Sequence, residues 1–163
     1  MSRQVLELES LLSQLVDQHT TLLESLDAHQ AAMRRLDARG IAESSATQEA
    51  SRLRIAQLEA RRRAVVAQIA ATLKLEGSPS LAAVASAMPQ MKPRLLDLRD
   101  QLRSLMQRVS SRVTIAGRLC GAILGHLNTV VRLIAGAVEQ AGLYTRSGVP
   151  RVSRRIGVME AVG

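Results

Sequence analysis

The sequence predicts an all-α protein in which a long antiparallel helical hairpin is followed by a short connector helix and a long amphipathic third helix. The chain of 163 residues contains one Tyr and no Phe or Trp. Its core must therefore be aliphatic, which suits helices meeting along narrow seams better than a β-sheet. Apolar residues also recur with alternating spacings of three and four over long stretches, the pattern of helices packed side by side. We expect an elongated, coiled-coil-like three-helix bundle.

The first two helices form the hairpin, over about residues 3–39 and about residues 43–75, with Gly40 as the expected turn. An arm of about 35 residues at 1.5 Å each is roughly 50 Å long. Consecutive arginines at positions 61–63 point in directions about 100° apart, so at least one lies near the seam, which its aliphatic stem covers. The seam of the first arm consists of Val5, Leu8, Leu12, Leu15, His19, Leu22, Leu26, His29, Met33 and Leu36. The apolar residues of the second arm are Leu53, Ile55, Leu58, Val65, Ile69 and Leu73.

A break separates the hairpin from the third long helix. Gly77 ends the second arm, and Pro79 begins a short helix over about residues 79–88. The third long helix follows over about residues 94–141 with the same alternation of three and four. Its seam consists of Leu95, Leu98, Leu102, Leu105, Val109, Arg112, Ala116, Leu119, Ile123, His126, Val130, Leu133 and Ala137.

Charge is distributed unevenly along the chain, whose net charge is +8. Residues 1–38 hold six acidic residues and three arginines, whereas residues 101–163 hold nine arginines and two acidic residues. A basic end of this kind attracts nucleic acid, anionic lipid or an acidic protein, but the lack of aromatic platforms disfavours nucleic acid. We expect one helical domain over residues 1–143 and a basic, flexible tail over residues 144–163. The acidic residues in MSRQVLELES and the single cysteine favour a cytoplasmic protein without an export signal.

An apolar surface about 200° wide covers the second half of the third long helix, at 100° per residue. Its inner half continues the seam, and its outer half is a separate surface that we call the outer stripe. A hairpin covers only slightly more than 100° of a helix. The outer stripe is therefore expected to receive a partner helix, unless the connector helix or a second copy of the chain covers it. It consists of Val113, Cys120, Leu124, Leu127, Val131, Ile134 and Val138.

Glycines at positions 117, 121 and 125 have the spacing of a contact motif between membrane helices. Their angles place them instead on the polar face, beside Arg118 and Arg132. Burying these two arginines in a bilayer would cost roughly 5 to 7 kcal/mol, so we expect no stable membrane insertion.

No arrangement of residues predicts catalysis, a cofactor, a small-molecule substrate or a bound metal. His126 projects about 120° away from Cys120 on the helix, so Cys120 is expected to be a buried, small apolar thiol rather than a nucleophile. His19 and His29 lie ten residues apart without a companion ligand, which argues against a metal site.

Three segments resemble the flagellar export chaperones of the FlgN type. They are the leucine-rich start LELESLLSQLVDQHTTLLESL, the middle segment LEARRRAVVAQIAATLKLEGSPSLAAVASAM, and GLYTRSG after the last helix. Thr145 stands where the family usually has glycine, and RVSSRVTIAG lacks the asparagines often found in the family's last helix. The resemblance covers nearly the whole chain.

The resemblance implies a cytoplasmic chaperone, not an enzyme, for type III secretion in bacterial flagellum assembly. It would bind the C-terminal helical segments of hook-associated proteins, which form the hook–filament junction, and deliver them to the export gate. Tyr144 and the residues after it are the implied candidates for docking at the gate. Two alternatives remain from the residues alone: a structural coiled-coil protein that self-associates through the outer stripe, and, less favoured, a basic helical protein that binds nucleic acid.

Overall fold

The computed structural model describes residues 2–74 and 79–141, with side-chain surroundings given for 3–74 and 79–137. Four helices account for nearly all of these residues: α1 (Ser2–Arg35), α2 (Ala38–Leu73), α3 (Leu81–Ser86) and α4 (Lys92–Ala141). The two described stretches contain no strand, and the predicted all-α class is confirmed. Contacts within the chain group into two units, Met1–Cys120 and Gly121–Gly163.

The turn of the hairpin lies at Leu36 and Asp37, not at Gly40 as expected. Leu36 adopts the left-handed conformation, with φ 54°, and the amide of Asp37 donates to the carbonyl of Ala32 at 2.9 Å. Asp37 then caps α2, because its carboxylate accepts a hydrogen bond from the amide of Gly40 at 2.9 Å. Gly40 is therefore inside α2, and Leu36, expected in the seam, is 70% exposed.

Helices α1 and α2 pack side by side in opposite directions. Arg61 forms an ion pair with Glu7 at 2.6 Å, and farther along the hairpin Gln48 donates from Nε2 to the carbonyl of Ser25 at 3.3 Å. Arg62 is the arginine of the triplet that lies nearest the seam, since its side chain is only 25% exposed. This confirms the prediction that one of the three arginines covers the edge of the seam.

The hydrophobic core occupies the end of the hairpin away from the turn. Near the turn, small polar side chains share the seam with aliphatic ones: Ser25, Ser44 and Ser51 are buried, and so are Leu26 and Met33. Leu53, one of the predicted apolar residues of the second arm, is 51% exposed. The buried core cluster consists of Leu8, Leu11, Leu12, Leu15, Leu58, Val65, Val66, Ile69, Val84, Ala85, Leu95 and Leu98.

The connector helix α3 closes this core. The hydroxyl of Ser80 caps α3 by accepting from the amide of Ala83 at 3.2 Å. Val84 and Ala85 are fully buried. Because α3 is short, its contribution to stability comes from these two side chains rather than from its own hydrogen bonds.

Helix α4 runs parallel to α1 in the first unit. Arg94 forms an ion pair with Glu9 at 3.0 Å, and Arg112 forms one with Asp27 at 2.8 Å. Both pairs join residues 85 positions apart. In this register α1 ends opposite Cys120, the last residue of the first unit.

The predicted division at residue 143 stays a prediction. The proposed tail, residues 144–163, lies outside the residues that the structure describes. The bounds of the helices differ from the predicted ones by at most five residues, most of all at the turn of the hairpin, where α1 ends four residues early and α2 begins five residues early.

Candidate partner-binding surface

The inner side of α4 is buried at its start and becomes steadily more exposed. Leu95 and Leu98 are 0% and 2% exposed, and Leu105 is 9% exposed. Val109 and Ala116 are half-buried. The predicted seam of the third long helix is therefore confirmed for this part of the first unit.

In the second unit the large apolar side chains of α4 are exposed on both halves of the predicted apolar surface, apart from Ile123, which is half-buried. Seam positions were expected to be covered, but His126 and Ala137 are also exposed. The periodicity placed these residues correctly on one face, but it carries no information about whether a neighbour packs there. The exposed fractions are 60% for Leu124, 54% for Leu127, 46% for Val130, 62% for Val131, 69% for Leu133 and 58% for Ile134.

The two outer-stripe residues of the first unit are exposed as well. Val113 is 53% exposed, and Cys120 is a free, exposed cysteine. The expectation of a buried thiol at Cys120 is wrong: α1 ends at Arg35, which lies opposite Cys120 in the register of the two ion pairs, so α1 does not continue past it. Val138 has no described side-chain surroundings and Tyr144 lies beyond residue 141, so neither of these two predicted residues is located.

The four glycines of α4 border open space. A Cβ atom added at Gly117, Gly121, Gly125 or Gly136 would meet no atom within 4 Å apart from the helix's own backbone. No close approach of another segment therefore requires glycine at these positions. Their effect is on the helix itself, because each glycine costs up to about 1 kcal/mol relative to alanine.

The histidines of α1 have ordinary hydrogen-bonding partners. Nδ1 of His19 lies 2.8 Å from the carbonyl oxygen of Leu15, and Nδ1 of His29 lies 3.0 Å from Oγ of Ser44. Within residues 2–74 and 79–141, no group of three or more His, Cys, Asp or Glu side chains could hold a metal ion.

Length and hydropathy alone would allow α4 to cross a membrane. Its best window of 18 residues has a mean hydropathy of 1.4, within Lys92–Ala137. A single helix that meets these two criteria is weak evidence for a membrane span, and Arg118 and Arg132 oppose insertion on the grounds given above. The same exposed aliphatic residues suit a protein partner.

Comparison with known proteins assigns the family. A family model described as "FlgN protein" matches residues 1–151, which is nearly the whole chain. The chain belongs to the FlgN family. Membership of the FlgN family makes it a flagellar export chaperone in general terms, and it agrees with the resemblance found in the sequence. No curated protein and no solved structure gave a match to the chain.

FlgN proteins are chaperones for flagellar substrate proteins rather than a family of enzymes, so an exposed apolar surface is the feature to expect in a member. One exposed apolar residue was overlooked: Met106 is 59% exposed and lies outside the predicted outer stripe. Met106 stands seven residues before Val113 and therefore on the same face of α4, and this spacing was the available signal.

Proposed function

We propose that this FlgN-family chain is a cytoplasmic chaperone of flagellar type III secretion that holds hook-associated proteins through the outer stripe and delivers them to the export gate. The observation that supports this most is the exposure of Leu124, Leu127, Val131 and Ile134, each more than half exposed on one face of α4. Isolated surface leucines are ordinary, whereas a row of aliphatic side chains at helical spacing indicates a surface that receives another helix.

Covering this row contributes part of the free energy that holds a client. Full burial of a Val, Leu or Ile side chain contributes about 1.5 to 3 kcal/mol relative to full exposure. A side chain that is half exposed has already gained part of this free energy, so covering it adds less. Four such residues contribute several kcal/mol before the cost of association. The binding energy therefore suits a chaperone that must also release its client.

The glycines of α4 suit the same role. Gly121 and Gly125 lower the helix propensity of the segment that carries the outer stripe. Ordering a soft segment on binding costs free energy and keeps the complex reversible. The client segment would be the C-terminal helical part of a hook-associated protein, and Tyr144 with the residues after it would dock at the export gate.

Substitutions in the outer stripe test the proposal. Leu127→Asp or Val131→Asp places a charge in the proposed contact, so we expect loss of co-purification with a hook-associated protein. Asn128→Asp is the matched control, because it adds the same charge at a neighbouring exposed position on the polar face. Circular dichroism should show the same helical content in all three variants. Unaltered binding by Leu127→Asp and Val131→Asp would refute the proposed surface.

Self-association through the outer stripe is the second candidate, since exposed aliphatic residues at helical spacing also fit another copy of the chain. Light scattering of the pure protein separates the two functions. A monomer at low micromolar concentration supports the chaperone, and a tight dimer that Leu127→Asp converts to a monomer supports self-assembly.

A further inference from the structure

The exposed apolar surface of the second unit is wider than one partner helix can cover. Six large aliphatic side chains of α4 are exposed there, from 46% at Val130 to 69% at Leu133. At 100° per residue they span about 180° of the helix, and we call this surface the aliphatic face. A helix that packs against one neighbour needs an apolar stripe of only slightly more than 100°. The aliphatic face consists of Leu124, Leu127, Val130, Val131, Leu133 and Ile134.

The outer stripe accounts for less than half of this width. Its four residues in the aliphatic face span about 80°. Val130 and Leu133 lie on the other side, with Leu133 about 120° from Leu127. Both belong to the predicted seam of the third long helix, yet both are exposed. A single client helix on the outer stripe would therefore leave Leu133 in water.

The opposite side of α4 in the second unit is polar or small. Gly121, Gly125 and Asn128 lie there and are exposed. Arg132 lies almost directly opposite the middle of the aliphatic face. His126 is the exception to this division, because it projects close to Leu133 at the edge of the aliphatic face. An aliphatic half and a polar half are the anatomy of a helix that lies in a membrane surface, with one half toward the acyl chains and the other toward water.

The second unit is basic as well as amphipathic. Gly121–Gly163 contains five arginines and two glutamates, and α4 has no aspartate or glutamate from Gln101 to Ala137. Anionic lipid offers both complements, acyl chains for the aliphatic side chains and negative headgroups for the arginines. Nucleic acid would neutralise the arginines but leave the aliphatic face in water.

Arg132 distinguishes a helix that lies on a bilayer from one that crosses it. A crossing helix is surrounded by acyl chains on every side, so Arg132 would be buried in them at a large cost in free energy. A helix that lies flat with its aliphatic face toward the acyl chains keeps Arg132 in water. The position of this one charge therefore favours the membrane surface over a span.

We infer that the aliphatic face of the second unit binds the surface of an anionic lipid bilayer, with α4 lying flat in the headgroup region. The inference goes beyond the proposed function, because lipid is a ligand other than the client. Four residues of the aliphatic face also belong to the outer stripe, so client and lipid occupy this face in turn and not together. The aliphatic side chains supply the affinity, and the arginines select anionic over neutral lipid.

Co-sedimentation of the full chain with lipid vesicles tests the inference. Vesicles of equal parts phosphatidylglycerol and phosphatidylcholine should bind the chain at least about tenfold more tightly than vesicles of phosphatidylcholine alone. Leu127→Asp and Leu133→Asp should each weaken binding to the anionic vesicles at least about tenfold, because each places a charge among the acyl chains. Circular dichroism should show unaltered helical content in both variants.

Leu53→Asp is the matched control. Leu53 is 51% exposed on α2, in the first unit, so this variant removes a leucine of similar exposure and adds the same charge away from the aliphatic face. Binding to anionic vesicles should be that of the unaltered chain. Equal losses in Leu53→Asp and Leu133→Asp would mean general charge attraction and would overturn the inference.

Leu133→Asp also separates the inference from the proposed function, because Leu133 lies outside the outer stripe. Lost vesicle binding with retained co-purification of a hook-associated protein supports the inference. If no hook-associated protein co-purifies with the unaltered chain, the proposed function fails, and selective binding to anionic vesicles still supports the inference.

Four other results would overturn the inference. They are equal binding to neutral and anionic vesicles, binding to neither, unaltered binding by Leu133→Asp, and resistance of the bound chain to extraction with alkaline carbonate. The last result would mean that α4 crosses the bilayer. Retention on double-stranded DNA by a chain that does not sediment with anionic vesicles would assign the arginines to nucleic acid instead.

Discussion

Asp37 links the two arms of the hairpin: its backbone amide donates to the carbonyl of Ala32 in α1, and its side chain caps α2. Its carboxylate accepts from the amide of Gly40 at the first turn of α2. Replacing the residue by alanine leaves this amide without its partner, so Asp37→Ala should lower the free energy of unfolding by about 1 kcal/mol, within 0.5 to 2. Urea unfolding followed by circular dichroism measures the change.

Asp17→Ala is the control for this prediction. Asp17 is exposed in the middle of α1 and caps no helix, and surface substitutions of this kind change stability by less than about 0.5 kcal/mol. The same loss in both variants would show that Asp37 contributes only its charge.

Single residues show where reading the sequence fails. Leu36 continues the heptad spacing of α1, yet it is exposed because the chain turns there and Leu36 takes the left-handed conformation. Cys120 lies on the predicted apolar arc, yet it is exposed. Periodicity gives the angle of a side chain on its helix, but burial depends on which segments pack against that angle.

At the scale of the helix, the glycines of α4 are predicted to lower the local stability of this helix. Gly121→Ala and Gly125→Ala add Cβ atoms into open space, so each should stabilise this part of α4 by about 0.5 to 1 kcal/mol. Amide hydrogen exchange over residues 119–137 should slow, because the helix opens less often.

Gly40→Ala provides the contrast within the same chain. A Cβ atom there would lie 2.5 Å from a carboxylate oxygen of Asp37, so the gain in helix propensity is opposed by displacement of the cap. Equal stabilisation by Gly40→Ala and by Gly121→Ala would contradict this account of the glycines.

Whole helices were the most predictable part of the fold. Long aliphatic repeats at spacings of three and four identified all three long helices, and Pro79 indicated the start of the connector to within two residues of Leu81, although the residue that caps it is Ser80. The parallel placement of α4 on α1 was not predicted, because it rests on side chains such as Glu9 and Arg94 that look like ordinary surface charges in the sequence.

In the whole molecule, buried and exposed aliphatic residues lie in different parts of the chain. The aliphatic core lies within the first unit, from Leu8 to Leu98, whereas the second unit carries large exposed aliphatic residues from Leu124 to Ile134. This chain of the FlgN family therefore has a buried aliphatic core and, in a separate unit, an exposed apolar surface. Under the proposed function, the core stabilises the fold and the exposed surface binds the client.

Hydrogen–deuterium exchange of the full chain, with and without a purified hook-associated protein, tests the central claim most directly. If the outer stripe receives the client, amides of residues 119–137 should exchange more slowly in the complex, since binding orders the glycine-containing part of α4. Exchange over residues 8–15, already part of the buried core, should stay the same. A stable complex in which residues 119–137 exchange at the rate of the free protein would contradict the claim.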